Sequence, residues 1–207
     1  MIPYLKILLI LTGFAFYHTV TISPNTQAAI RKKTGLSFGA YAGSRAIASL
    51  ALLVLSVYIL LQEAASTTVL FPPVLGVPAI LPAMFAFWLA GMALMQVARS
   101  GRLPQFFGFR EYPKLFIFTG AYTICRHPMY TGWLVAGWGL VISQPFALTV
   151  FYNILITCFV VYLSILEERR MVELFGEKYR AYQSQVPFLL PYGFLKSQIR
   201  SEGAPRF

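Results

Sequence analysis

Residues 130–168 read YTGWLVAGWGLVISQPFALTVFYNILITCFVVYLSILEE. Two apolar runs, Tyr130 to Ser143 and Phe146 to Leu166, flank Gln144-Pro145, and the second ends at Glu167-Glu168. A bilayer leaves backbone polar groups without partners unless a helix or closed barrel satisfies them internally, and unbroken apolar runs choose the helix. The short break between them admits only a reversal, so the stretch predicts a tight antiparallel helical hairpin. Its open ends, at His127 and at Glu167-Glu168, are then neighbours. A helix needs about 20 apolar residues to cross roughly 30 Å of hydrocarbon. The second arm meets that length. The first is short and is expected to stop before the far face.

Outward from the hairpin, three further apolar segments run from Ile2 to Ile22, Ala46 to Leu61 and Ile80 to Ala98. The second of these is slightly short and can borrow from Phe38 to Ser44. The first has Lys6 near its start and an apolar run after it but shows no small-residue cleavage site before Pro24, so it is expected to stay as a span rather than leave as a signal peptide. The expectation is an all-α polytopic membrane protein with five transmembrane helices, the last two a tight hairpin, followed by a cytoplasmic C-terminal helical segment. Composition agrees. Of 207 residues, 57% are apolar and 12% charged, with a mean hydropathy of +0.65. Soluble domains carry about 25% charged residues.

The net charge of +10 comes from 17 Lys and Arg against 7 Asp and Glu. In a soluble chain such an excess suggests nucleic acid. Here it sorts by loop instead. Arg31, Lys32, Lys33 and Arg45 follow the first span, and Arg99, Arg102, Arg110, Lys114 and Arg126 follow the third. Arg169, Arg170, Lys178, Arg180, Lys196, Arg200 and Arg206 follow the fifth, while the other two connections carry no Lys or Arg. The positive-inside rule places the basic loops and the C-terminus in the cytoplasm and the N-terminus outside or in a lumen. Bacterial inner membrane and endoplasmic reticulum both fit. No nucleic-acid partner is expected. Cys125 and Cys158 lack metal-ligand spacing, so no metal site is expected.

The spans hold almost no ionisable residues, which argues against an ion pathway. His18 stands near the end of the first span and reads as an interfacial or packing histidine. The chemistry-bearing residues gather elsewhere. The connection from Arg99 to Tyr130 interleaves Pro104, Gly108, Pro113 and Gly120 with Phe106, Phe107, Phe109, Tyr112, Phe116, Phe118 and Tyr122. It suits either anchoring at the interface or roofing a cavity. Pro128 is tolerated in the first turn of a helix, so Arg126 and His127 sit at a helix N-terminus. Such an end offers free N–H groups and a dipole that favours anions. Gly132, Gly137 and Gly139 follow, and small residues permit close approach of another helix or of a flat ligand.

Across the hairpin lie Glu167 and Glu168. A basic, N–H-rich end thus faces a carboxylate pair, an arrangement suited to a zwitterion whose carboxylate meets His127 and whose hydroxyls or ammonium meet the glutamates. Beyond them, Met171 to Tyr182 is amphipathic. Gly176 can end one helix and start another, and Tyr179 and Tyr182 share a face. Val186-Pro187 to Pro191 reads as extended.

Arg126-His127-Pro128-x-Tyr130, the hairpin, Glu167-Glu168, Phe175-Gly176, Tyr179-x-x-Tyr182, Val186-Pro187 and Pro191 occur in an order that resembles the isoprenylcysteine carboxyl methyltransferase family. These small integral-membrane methyltransferases are related to phospholipid N-methyltransferases. The resemblance covers about the last 90 residues. It divides the chain into N-terminal helices and aromatic loop (residues 1–125) and a cofactor-binding part (residues 126–207). It implies S-adenosylmethionine as methyl donor, held by His127, Tyr130, Glu167, Tyr179, Tyr182, Val186 and Pro187, with Arg126 and Glu168 as catalytic candidates. It implies a lipidated or lipophilic acceptor, with the isoprenylcysteine carboxyl group first and phospholipid amines or small thiols as rivals. An amine would need deprotonation, for which Glu168 is the nearest group. Phe188 departs from the family, in which a polar residue commonly follows Val-Pro, and this bears on the choice of acceptor. A membrane reductase using a nicotinamide cofactor and a non-catalytic membrane protein are the readings from other classes.

Overall fold

A computed structural model describes residues 1–73, 77–101 and 116–189 of the chain. The described part is helical, with no β-strand in it. Helix α1 is Ile2–Ile22, α2 Pro24–Thr34, α3 Phe38–Glu63 and α4 Val77–Arg99. Helix α5 is Pro128–Ser143, α6 Ala147–Phe175 and α7 Glu177–Gln185. Short 3₁₀ turns stand at Ala64–Ser66 and Gly120–Thr123. Four of these helices, α1, α3, α4 and α6, are long and apolar enough to cross a membrane, so this is an integral membrane protein.

The fifth apolar helix does not reach that length. Helix α5 has 16 residues, about 24 Å at 1.5 Å per residue, against roughly 30 Å of hydrocarbon. Prolines limit it on both sides, Pro128 at its first turn and Pro145 in the reversal. Helix α3 starts at Phe38, taking in the stretch that the short run from Ala46 could borrow. The Ser37 side chain accepts from the Ala40 N–H at 3.2 Å and so caps the helix. Arg45, expected in a loop, therefore lies inside the helix.

The helix ends sort into two layers. At one end Lys6 pairs with Glu63. There the Leu70 N–H donates to the Pro145 carbonyl and the Ala147 N–H to the Thr68 carbonyl, both at 2.8 Å. These bonds fasten the α3–α4 connection to the reversal between α5 and α6. The other end holds α2, Arg99, Arg126-His127, Glu167-Glu168 and α7. Edge-on contacts of Tyr4 with Phe151 (5.4 Å) and Phe14 with Phe159 (5.2 Å) set α1 parallel to α6. The buried set Ile7, Leu11, Leu60, Leu148 and Tyr152 joins α1, α3 and α6.

Helices α4 and α5 approach very closely. A Cβ added at Gly132 would lie 3.1 Å from the Ala86 carbonyl oxygen, and one at Gly139 would lie 2.5 Å from Pro82 Cβ. Small residues here let backbones touch where a membrane offers no hydrophobic drive between helices. This contact fixes the axis of α5, and hence the position of His127 at its start. Large apolar side chains such as Phe16, Ile47 and Phe87 point outward, as lipid contact requires. Helix α6 outlasts its apolar run, which ends at Leu166, and carries Glu167 to Phe175 beyond it until Gly176 (φ +55°) breaks the helix and α7 begins.

Candidate active site

Two helix ends, the start of α5 and the last turn of α7, converge on Glu168 of α6. Arg126, just ahead of α5, donates from Nε to Glu168 Oε1 and from Nη2 to Oε2 at 3.3 Å. Gln183 of α7 donates to Oε2 at 2.8 Å, and His127 Nε2 lies 3.3 Å from Oε1. The Arg126 and Glu168 side chains are 12% and 14% exposed. His127 Nδ1 lies 3.6 Å from Oε2 of Glu167, whose side chain is 54% exposed. The basic end and the carboxylate pair therefore meet directly, where the sequence suggested a gap for a ligand.

Arg126 does more than neutralise Glu168. Its Nη1 donates to the main-chain carbonyls of Gln183 (2.9 Å) and Val186, and its own N–H donates to the Pro187 carbonyl at 2.9 Å. The guanidinium also lies over the Phe188 ring, 5.5 Å from its centroid. Thr131, 1% exposed, donates its hydroxyl to the Leu189 carbonyl at 2.6 Å. Residues 183–189 are thus strapped across the start of α5 by one cation and one hydroxyl.

Aromatic rings line the rest. Tyr130 stacks on His127 at 5.8 Å, and Phe188 meets the same imidazole edge-on at 5.3 Å. Phe116 packs on Phe175, Tyr179 and Tyr182, with centroids 5.1–5.5 Å away. The Tyr182 hydroxyl donates to the Tyr122 carbonyl at 2.6 Å. The described end of the aromatic loop therefore covers α7. The remaining aromatic loop residues 102–115, Pro191 and the basic tail lie outside the described residues.

Burial works to raise the pKa of Glu168. Hydrogen bonds from His127, Arg126 and Gln183, with the Arg126 charge, outweigh it and hold the carboxyl at about 2. Burial works against charging His127, but Glu167 and Glu168 prevail and its pKa is raised. Tyr179 and Tyr182 are both pushed up, first by burial, with the Glu168 charge adding to the effect on Tyr179. An open groove of about 390 Å³ runs beside the cluster along α6 and α7, lined by Ile165, Glu168, Arg169, Val172, Glu173 and Gln183. Both charge signs over an apolar floor match the chemistry of a zwitterionic ligand, and pockets of about 300–1,000 Å³ are usual for small molecules. Among the described residues no group of three or more His, Cys, Asp or Glu could hold a metal.

The expected residues Arg126, His127, Tyr130, Glu167, Glu168, Tyr179, Tyr182, Val186 and Pro187 all lie around this cluster, the last two through their carbonyls. Gln183, Thr131, Phe116 and Phe188 were not among the expected site residues. Gln183 stands four residues after Tyr179, and Thr131 four after His127, so helical spacing carried a signal for both.

A family model described as phospholipid methyltransferase matches residues 74–178, from the start of α4 to beyond the break at Gly176. The chain belongs to the phospholipid methyltransferase family. This family is part of the isoprenylcysteine carboxyl methyltransferase-like group to which the motifs pointed. Among curated proteins, this family member is similar to methanethiol S-methyltransferases. The protein of Pseudomonas deceptionensis is 45% identical over 73 residues, 34% of this chain and 26% of that protein. That of Crocosphaera subtropica is 35% identical over 91 residues, 42% of this chain and 34% of that protein. Methanethiol S-methyltransferase 1 of Bradyrhizobium diazoefficiens is 34% identical over 71 residues, 34% of this chain and 24% of that protein. The chain spans about a quarter to a third of the length of these relatives. No solved structure matches it.

Proposed function

We propose that this family member is an S-adenosylmethionine-dependent methyltransferase whose preferred acceptor is a small thiol. The observation that carries the reading is the Arg126–His127–Glu167–Glu168 cluster, roofed by residues 183–189 and set in the part of the chain that the family model matches. S-adenosylmethionine, when bound, supplies a methyl group on a sulfonium. His127, Tyr130, Glu167, Tyr179, Tyr182, Val186 and Pro187 would hold it, Glu167 having a half-exposed carboxylate able to accept from hydroxyls or an ammonium. Orientation of donor and acceptor can contribute roughly 7–11 kcal/mol, so a rigid frame is the main requirement. Arg126 and Glu168 supply that frame as positioning residues. Residues 126–207 form the cofactor-binding part, and residues 1–125 the helical scaffold.

Three arguments select the acceptor. A carboxyl with a pKa near 2 is a poor base, which disfavours an ammonium acceptor. Arg126 already serves Glu168 and three backbone carbonyls, and Phe188 follows Val-Pro, which leaves little to hold an acceptor carboxylate. A thiolate is favoured beside His127, whose pKa the two glutamates raise, and needs no stronger base. The names of the relatives point the same way. The isoprenylcysteine carboxyl group is the second reading, favoured by the order of the Arg-His-Pro-x-Tyr and Glu-Glu motifs. By the positive-inside rule the cluster faces the cytoplasm. Helix α5 is the short fourth span, in a hairpin with the fifth, α6.

The test is equilibrium binding of radiolabelled S-adenosylmethionine to purified protein, wild type beside His127→Ala and Glu167→Gln. Methyl transfer to methanethiol, an S-farnesylcysteine and phosphatidylethanolamine is then compared. Saturable binding, weakened in both variants, with methanethiol the best acceptor, is expected. Absence of binding at millimolar ligand by folded protein would overturn the reading. Binding with transfer only to the farnesylcysteine would replace the acceptor.

A further inference from the structure

The first 62 residues contain no Asp or Glu. They do contain Arg31, Lys32 and Lys33 at the end of α2 and Arg45 inside α3, all in the basic layer. The lysines reach water. Arg45 does not do so freely. Its Nε is shielded from solvent and has no hydrogen-bond partner, and among the described residues the guanidinium makes no ion pair. Its charge reaches His18 and Tyr41. The Tyr41 hydroxyl is spent on the Thr21 carbonyl at 2.8 Å. His18 Nδ1 lies 3.3 Å from Ser49 Oγ, one helical turn beyond Arg45.

A guanidinium stays charged at any accessible pH and presents a planar fork matched to phosphate or carboxylate. An Arg whose Nε is shielded and has no partner among the described residues therefore calls for an anion from outside. We propose that Arg45, with His18 and Ser49, binds the phosphate of an anionic membrane phospholipid at the corner of α1 and α3. Two features select a lipid over a free ion. Arg45 stands seven residues into α3 and directly before the apolar run from Ala46, a place that suits a headgroup bound at the membrane boundary. Exposed Phe16 on α1 and Ile47 and Leu50 on α3 lie next to these polar groups in sequence and offer apolar surface for acyl chains. The Lys32 and Lys33 charges add attraction for anionic lipid at the surface. The site is separate from the Glu168 cluster. His18 meets Phe159 edge-on at 6.0 Å, and Phe159 lies nine residues before Glu168, about 13.5 Å along α6.

The test is thermal unfolding of the detergent-purified chain titrated with dihexanoyl phosphatidylglycerol, dihexanoyl phosphatidylcholine or inorganic phosphate. Phosphatidylglycerol is expected to raise the midpoint saturably, phosphatidylcholine much less, and phosphate alone not at all. Loss of charge-assisted hydrogen bonds predicts that Arg45→Gln binds phosphatidylglycerol roughly 10- to 100-fold more weakly. Arg45→Lys should fall between, and Lys32→Gln with Lys33→Gln should change affinity by a few-fold at most. Wild-type affinity in Arg45→Gln, or an equal shift with phosphatidylcholine or free phosphate, would overturn the proposal. Should Arg45→Gln fail to fold, Arg45→Lys decides, unchanged affinity being the overturning result. S-adenosylmethionine binding measured on the same samples separates this outcome from the fate of the methyltransferase reading.

Discussion

Replacing Glu168 by Gln keeps the shape of the side chain and removes its charge. Each carboxylate oxygen faces two donors: Oε1 meets Arg126 Nε and His127 Nε2, and Oε2 meets Arg126 Nη2 and Gln183 Nε2. In either amide orientation the new NH₂ therefore faces two donors, and Arg126 loses its counter-ion at 12% exposure. Breaking a buried pair from one side costs about 3–5 kcal/mol. The carboxyl pKa gives a second route to the magnitude. Its fall from 4.5 to about 2 is worth about 3 kcal/mol. We expect Glu168→Gln to lose about 3 kcal/mol near neutral pH, measured by reversible unfolding in mixed micelles of dodecylmaltoside and sodium dodecyl sulfate. The sign with pH follows from the lowered pKa. The contribution is complete above the ordinary value of 4.5 and is lost as pH falls through about 2. The gap between wild type and variant should therefore close in acid. A gap under about 1 kcal/mol at neutral pH, or one that stays constant down to about pH 2, would refute the reasoning.

Three further outcomes are expected. His127 has a raised pKa, so its contribution is complete below 6.5 and lost as pH rises through its folded value; the stability gap between wild type and His127→Gln should narrow as pH rises above 6.5, and a widening gap would contradict this. Thr131→Val orphans the Leu189 carbonyl, which should cost about 1–3 kcal/mol and speed amide exchange over residues 183–189; unchanged exchange there would remove Thr131 from the strap. Gly139→Ala places a Cβ 2.5 Å from Pro82 Cβ, so it should cost about 1–3 kcal/mol, whereas Gly13→Ala, with nothing within 4 Å, should cost little; equal thermal shifts in the two would refute close packing of α4 on α5.

Where hydropathy decides, the sequence was legible: α1 coincides with the apolar run Ile2 to Ile22, and the break at Gly176 falls where expected. Where a cap decides, it was legible in part. The run from Ala46 could borrow from Phe38 to Ser44, and Ser37 caps the helix there, but Arg45, counted with the loop charges, lies inside it. The neighbourhood of His127 with Glu167 and Glu168 followed from the shortness of the reversal at Gln144-Pro145. The strap did not follow. Its bonds run from Arg126 and Thr131 to carbonyls of Gln183, Val186 and Leu189, and any residue type supplies a carbonyl. No pattern in the sequence marks which carbonyls a cation will find.

The strap also bears on what the cluster can recognise. Arg126 is anchored on Glu168 and on the main chain of residues 183–187, so an anion that recruited it would have to displace one of them. Displacing Glu168 would take its guanidinium from a shielded carboxylate and leave it only His127 and Gln183, a cost of the same kind that the Gln substitution imposes on Arg126. An anionic acceptor group thus competes against an internal carboxylate already in place. A small thiol, on the proposed reading, arrives uncharged and is favoured as thiolate by His127, so it does not compete with Glu168 for Arg126. The internal pair therefore acts as a filter on acceptor charge as well as a clamp. Weakening it should widen acceptor range before it abolishes binding of the methyl donor, because the residues proposed to hold the donor, His127, Tyr130 and Glu167 among them, do not include Arg126.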